Sequence, residues 1–308
     1  MARKVILDVD PGVADALALC MALFDPRLEV VAATATGGNV GPEQATRNVQ
    51  AIIEQLDPRR WPRIGAADPE QLLLADSREL WGEDGLCGAD FHVAELHHRH
   101  SAVKLMADEL KASPGEVTIV ACGPLTNIAS VLQREPDLAS LIGHLIIVGG
   151  TLGGPGNVTP CAEFNIFCDA EAARAVFMSP VTMTLLPLDI TSKVVLRYGL
   201  LDQLPKSTTR LGRVLRAILP GAFLASHQRL GVEGLVVPEA VAVAALLHPE
   251  LLTTERRHCD VELSGELTRG ATVVDRRRGA PHRPNMDVVT ELNVEAAMDC
   301  ILRGLQQA

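Results

Sequence analysis

The sequence predicts an α/β fold, an open, mostly parallel sheet with helices on both faces. Three observations lead there. Apolar runs of strand length alternate with stretches of helical periodicity, a rhythm that belongs to parallel strands joined by crossover helices. The first run, Val5-Ile6-Leu7, is apolar on consecutive residues, as a strand buried on both faces requires. Strand after strand then ends in a turn of Gly, Pro and polar residues, which gathers the polar clusters beyond the strands' carboxyl ends, where such sheets bind ligands. With 308 residues, 47% hydrophobic and 21% charged, the chain can bury a large core, and no linker divides it, so residues 1–308 read as one domain.

In chain order, the strand from Lys4 is broken at Pro11-Gly12, and Ala16, Leu17, Leu19, Cys20 and Leu23 mark a helix. The reversal can bring together Asp10, at the strand's end, and Asp15, in the helix's first turns. Two carboxylates that close repel unless a cation joins them, and calcium tolerates irregular carboxylate geometry better than magnesium does. The plainer alternative is helix capping by Asp10 and a solvated Asp15. A second strand, Leu28 to Thr36, ends in Gly37-Gly38-Asn39, where Asn39 either bonds a polyhydroxy ligand or occupies a left-handed turn. Residues Pro42 to Leu56 form a helix with Asn48 and Glu54 on its polar side. Residues 61 to 100, rich in Gly, Asp and His, read as a long functional loop containing Trp81-Gly82. The cluster His97-His98-Arg99-His100 suits a surface helix start better than a metal site.

A helix from Ala102 to Lys111 leads to a strand from Val117 to Cys122, which ends in Gly123-Pro124-Leu125-Thr126-Asn127 and turns into another helix. The strand Leu145 to Gly150 is followed by a polar cluster, Gly153 to Pro160 and Glu163-Phe164-Asn165. A helix from Asp169 to Met178 and a strand from Val181 to Asp189 follow. Residues 200 to 247 read mostly as helices. Short strands around Cys259 to Leu263 and Ala271 to Asp275 precede a closing helix, Val294 to Leu305.

Charge narrows the partners. A formal net charge of -10 leaves no basic stripe to replace phosphate counterions, so nucleic acid is not expected; Arg276-Arg277-Arg278 reads as a solvated turn. Seven cysteines without a C-x-x-C pair look like small core residues in a reducing compartment. The apolar run after Lys4 is too short for a signal peptide and no uncharged segment approaches membrane-spanning length, so a cytoplasmic protein without membrane contact is expected.

Asp8-Val9-Asp10-Pro11-Gly12 with Asp15, Gly37-Gly38-Asn39, Gly123 to Asn127, Asn157-Val158-Thr159-Pro160 and Glu163-Phe164-Asn165 together resemble the nucleoside hydrolase family, inosine-uridine-preferring type, over nearly the whole chain. The resemblance implies a single α/β domain, a tightly held calcium ion, hydrolysis of the N-glycosidic bond of ribonucleosides to ribose and free base, and a homodimer or homotetramer. It implies that Asp10 binds calcium and deprotonates the attacking water, that Asp15 and the Thr126 carbonyl are further ligands, and that Asn39, Asn157, Glu163 and Asn165 hold the ribose. These residue types suit the chemistry, since a carboxylate can take a water's proton and fixed hydrogen bonds can hold a sugar as it becomes oxocarbenium-like.

Three departures accompany the resemblance. Ala14 stands where the family carries a second adjacent aspartate that binds ribose. Trp81-Gly82 replaces a frequent His-Gly, which implies that the indole stacks on the base at the pocket mouth; the alternative is that it plugs the core beneath its loop. Pro238-Glu239 replaces a His-Asp pair, so the proton donor to the base is missing and the metal carboxylate, Glu239, is one methylene longer. Standard nucleosides should therefore turn over slowly, with His227 a candidate replacement donor. The competing readings are a ribose- or nucleoside-binding protein of the same fold with weak or no hydrolysis, and a D-x-D phosphatase, for which Pro11-Gly12 fits poorly. A dinucleotide fold is disfavoured because no G-x-G-x-x-G follows the first strand.

Overall fold

In the computed structural model, which describes residues 2–94, 100–279 and 281–306, ten strands form one sheet. In chain order the elements are β1 (Arg3–Val9), α1 (Val13–Phe24), β2 (Leu28–Ala35), α2 (Pro42–Leu56), β3 (Arg63–Ala66), α3 (Arg78–Trp81), β4 (His100–Ser101), α4 (Ala102–Ala112), β5 (Val117–Ala121), α5 (Thr126–Arg134), β6 (Ile142–Val148), α6 (Phe164–Cys168) and α7 (Ala170–Phe177). There follow β7 (Met183–Leu186), α8 (Leu188–Thr191), β8 (Val195–Leu196), α9 (Leu200–Gln203), α10 (Arg210–Ala225), β9 (Leu235–Val236), α11 (Pro238–Leu247), β10 (Leu252–Val261), β11 (Thr272–Asp275), β12 (Met286–Leu292) and α12 (Val294–Gly304).

The sheet order is β11-β10-β12-β7-β6-β5-β1-β2-β3-β4. It is parallel from β12 to β4, while β10 runs antiparallel to β12 and β11. Strands β8 and β9 pair separately as a small antiparallel ribbon. Because alternate residues of a strand face opposite ways, β1 feeds two cores. Val5, Leu7 and Val9 pack with α1, α2, α10 and α11, and Ile6 packs with α4, α5 and α7 on the other face. The expected open parallel sheet with helices on both faces is thus the architecture observed.

The connectivity explains where the polar clusters fall. From β1 the chain lays β2, β3 and β4 down on one side, then returns to add β5, β6 and β7 on the other. Crossovers therefore leave β1 and β5 in opposite directions and open a crevice between their carboxyl ends, the usual ligand site in such sheets. Asp8 pairs in register with Thr34 on β2 and Ala121 on β5, so Asp10 emerges at the crevice.

Several expected boundaries shift. Residues 61 to 100 are not a single loop: β3 and β4 extend the parallel sheet, and α3 ends at Trp81. Arg63-Ile64-Gly65-Ala66 is too short to announce itself and becomes a strand only by pairing with β2. His97, His98 and Arg99 lie outside the described residues, and His100 is an exposed residue of β4. Asn48 is buried, not solvated, because its amide donates to the Pro11 and Asp84 carbonyls. Strand β12 and the first half of β10 go beyond what local pattern announces; Asp287, Glu291 and Glu255-Arg256-Arg257 interrupt the apolar pattern, and pairing decides them.

Candidate active site

Asp10 is the centre of the crevice and is buried. Glycines make its seat possible. A Cβ on Gly38 would lie 2.1 Å from Asp10 Oδ2, and one on Gly123 would lie 2.9 Å from Oδ1. With those side chains absent, the Asn39 backbone N–H reaches Asp10 Oδ2 at 2.8 Å. Asp15 lies in the first turn of α1, where unpaired backbone N–H groups favour an anion, and its Oδ2 accepts the Gly12 N–H at 3.1 Å. Glu239 likewise lies in the first turn of its helix, α11, directly after Pro238 at the first helical position, and is buried as well.

Burial, followed by the nearby charges of Asp15 and Glu239, holds the Asp10 carboxyl well above the usual carboxylate range. Glu239 is raised by burial and by Asp15. Asp15 is pushed up to about 7, chiefly by burial. Asp8, two residues before Asp10 on the same face, is likewise pushed up to about 7 by burial, against hydrogen bonds from Asn127 at 2.8 Å and Thr34 at 2.7 Å. One oxygen each of Asp8, Asp15 and Glu239 is buried without a hydrogen-bond partner among the described residues. Orphaned anionic oxygens in a dry site are costly unless a proton or a cation meets them. The oxygen-only donor set fits a hard divalent cation. Among the described residues no three His, Cys, Asp or Glu side chains already converge as a ligand cage, so main-chain or ligand oxygens would have to contribute.

The other expected site residues fall into two groups. Glu163, Asn165 and Asn157 stand on the far side of the crevice, after β6. Glu163 caps α6, its Oε2 accepting N–H groups from Gly150 at 3.0 Å and Ile166 at 3.2 Å, and burial raises its carboxyl. The Asn165 amide ties two strand ends together, donating to the Cys122 carbonyl at 2.8 Å and the Val148 carbonyl at 3.0 Å. Asn157 is exposed, with Oδ1 accepting the Phe164 N–H at 2.8 Å.

Asn39, Thr126 and Trp81 are engaged with the protein itself. The Asn39 amide donates to the Asp10 carbonyl at 2.9 Å, and its oxygen accepts from Ser77 Oγ at 2.5 Å. The Thr126 hydroxyl donates to Asp169 at 2.7 Å and accepts from Gln71 at 3.1 Å. At this strand end burial, followed by the charges of Asp15, Glu239, Asp10 and Asp8, pushes the Cys122 thiol far up. Trp81 is half-buried and packs against the core cluster beneath its loop. His227 is exposed in the π-helical turn Ser226–Leu230 that ends α10, and no described hydrogen bond ties its side chain to the acids.

Sequence reasoning missed supporting residues. Asp8 and Asn127 lay inside the quoted motifs, and their spacing could have flagged them. Gln71 could not be found that way: it lies in an irregular polar loop, yet its amide clips that loop to Gly37, accepting from its N–H at 2.7 Å and donating to its carbonyl at 3.1 Å.

A parallel α/β sheet whose switch point holds buried carboxylates, faced by amide- and carboxylate-bearing loops, has the plan of an enzyme that grips a small polar molecule and moves a proton on it. The chain belongs to the inosine-uridine preferring nucleoside hydrolase family, whose pattern it matches over residues 5–299. It is 36% identical over 311 residues to the pyrimidine-specific ribonucleoside hydrolase of Klebsiella pneumoniae, with 99% of each chain covered. It is 37% identical over 314 residues to the non-specific ribonucleoside hydrolase of Shigella boydii, covering 100% of this chain and 97% of that one. The solved structure of the purine-preferring ribonucleoside hydrolase from Gardnerella vaginalis superposes with a TM-score of 0.90 at 29% identity, with 98% of each chain covered.

Proposed function

We propose that the protein hydrolyses the N-glycosidic bond of ribonucleosides or related N-ribosides, giving ribose and free base, in a calcium-dependent reaction carried by residues 1–308 as one domain. The observation that carries the reading is the buried group of Asp10, Asp15 and Glu239, with its orphaned oxygens, at the switch point of the sheet. These three carboxylates, with the Thr126 carbonyl, would hold the ion. A bound hard divalent cation makes a neighbouring water more acidic and keeps the acids ionised.

Asp10 then takes the proton of the attacking water. Asn157, Glu163 and Asn165 hold the sugar as positive charge builds on it, Asn39 holds Asp10 in place and contacts the sugar, and Trp81 stacks on the base. The departing base needs a proton that Pro238 cannot supply. The relatives' stated preferences, pyrimidine-specific, non-specific and purine-preferring, do not agree on a base. The reading further takes the protein to be cytoplasmic and a homodimer or homotetramer. No helix among the described residues is long and apolar enough to cross a membrane.

The test measures ribose release from inosine, uridine and p-nitrophenyl riboside with added calcium and with chelator. Calcium-dependent release is expected, fastest for p-nitrophenyl riboside, whose phenolate leaves without protonation. General acid catalysis is worth about 10² to 10⁴ in rate, so the natural nucleosides should lag by a factor of that order. Equal high rates on all three would mean that another residue donates the proton. Binding without release from any of them would favour the binding-protein reading.

A further inference from the structure

We propose that Asp189 is a positioning residue for the substrate loop, fixing residues 152–154 so that Asn157 meets the sugar in a set place; the proposal rests on the functional reading above. Asp189 lies in α8, just beyond the carboxyl end of β7. Its carboxylate is divided between two backbone donors of the loop after β6: Oδ2 accepts the Leu152 N–H at 2.6 Å and Oδ1 the Gly154 N–H at 2.6 Å. Hydrogen bonds to an ionised acceptor are short and about twice as strong as neutral ones. The approach is close enough that a Cβ on Gly154 would lie 2.4 Å from Asp189 Oδ1. The Leu188 N–H also donates to the Gly150 carbonyl at 2.9 Å, so α8 grips the root of the loop at three points. Between the two clamped residues, Gly153 lies against the guanidinium of the exposed Arg276.

Beyond this root the loop is closed on itself. The Ala162 carbonyl collects the N–H groups of Asn157, Val158 and Thr159 at 3.2, 3.3 and 3.4 Å. Asn157 Oδ1 is held by the Phe164 N–H, and its amide donor has no protein partner among the described residues. Residues 155–162 are thus tied to one another; besides their two ends, they are held to the rest of the protein through the Cys161 thiol, which donates to the Leu267 carbonyl at 3.0 Å. One end is Glu163, which the functional reading gives to the sugar. The other is Asp189, which does nothing there except accept from the loop. Releasing it should shift Asn157 while leaving Asp10, Asp15 and Glu239 as they are, so binding suffers and chemistry does not.

The experiment compares wild type with Asp189→Asn, which keeps the shape but sets an NH₂ group against one of the two N–H donors, and with Asp189→Ala, which removes both acceptors. In both, hydrogen exchange at Leu152 and Gly154 should accelerate. KM for the best riboside should rise about tenfold with kcat within about threefold, since ångström-scale misplacement can cost up to about 10². If Asp189→Ala does not fold, the isosteric Asp189→Asn decides. Unchanged exchange at those amides overturns the clamp, and faster exchange with unchanged KM overturns the positioning role. Should wild type release no ribose, the hydrolase reading fails separately; the uridine Kd then takes the place of KM, and an unchanged Kd overturns the proposal.

Discussion

Gly38→Ala tests whether the seat of Asp10, rather than its mere presence, governs the chemistry. The backbone at Gly38 is not in the left-handed region, so an alanine meets no conformational penalty there and acts only through contact. Its Cβ would stand 2.1 Å from Asp10 Oδ2, 2.7 Å from Cγ and 2.8 Å from Cβ, whereas real contacts essentially never fall under 3.0 Å. Moving from 2.1 Å to at least 3.0 Å would displace this oxygen of Asp10, the proposed proton acceptor, by about 1 Å and break the hydrogen bond from the Asn39 N–H. A misplacement of that size costs about 10² in rate, or about 2.7 kcal/mol of barrier. The assay is kcat/KM for p-nitrophenyl riboside with calcium, alongside thermal unfolding. Gly41→Ala, three residues on and with nothing within 4 Å of its Cβ, is the control and should keep its activity. A folded Gly38→Ala protein with wild-type kcat/KM would refute the placement of Asp10 at the reacting centre.

Two further outcomes follow from the same site. Asp8 and Asp15 have folded pKa values pushed up to about 7, so in metal-free protein the folded state binds more protons than the unfolded state above pH ~4. Their contribution is therefore greatest in acid and is lost as pH rises toward the folded pKa. With chelator Tm should fall between about pH 5 and about pH 8, and calcium should reverse the fall by replacing the protons; a chelated protein whose Tm rises over that range contradicts the assignment. Trp81→Ala should raise KM by a factor of about 2 to 10, from the ~0.5–1.5 kcal/mol that stacking contributes. It should also lower Tm, because the half-buried ring packs on the core. A lower Tm with unaltered KM gives the ring to packing alone.

The sequence by itself determined the alternation of strands and helices, the parallel sheet and the side of it on which the polar residues gather. These follow from local periodicity and from turns whose glycines and prolines act over a few residues, as at Pro11-Gly12 and Gly123-Pro124. Motif order was equally legible, and the family followed from it. Local pattern could not show β3, β4 and β12, which are strands because a neighbour's unpaired edge completes them. Nor could it show that Asn39 holds Asp10 and Ser77, that Thr126 turns to Asp169 and Gln71, or that Asp189 grips a loop 35 residues earlier. Glu239 meets Asp15 only because α11 packs along α1, bringing together acids more than two hundred residues apart. A residue type and its spacing fix which groups are available and roughly at which end of the sheet. Which partner each group takes is decided by burial, where every polar atom must find a donor, an acceptor or an ion, and that competition exists only once the chain is folded.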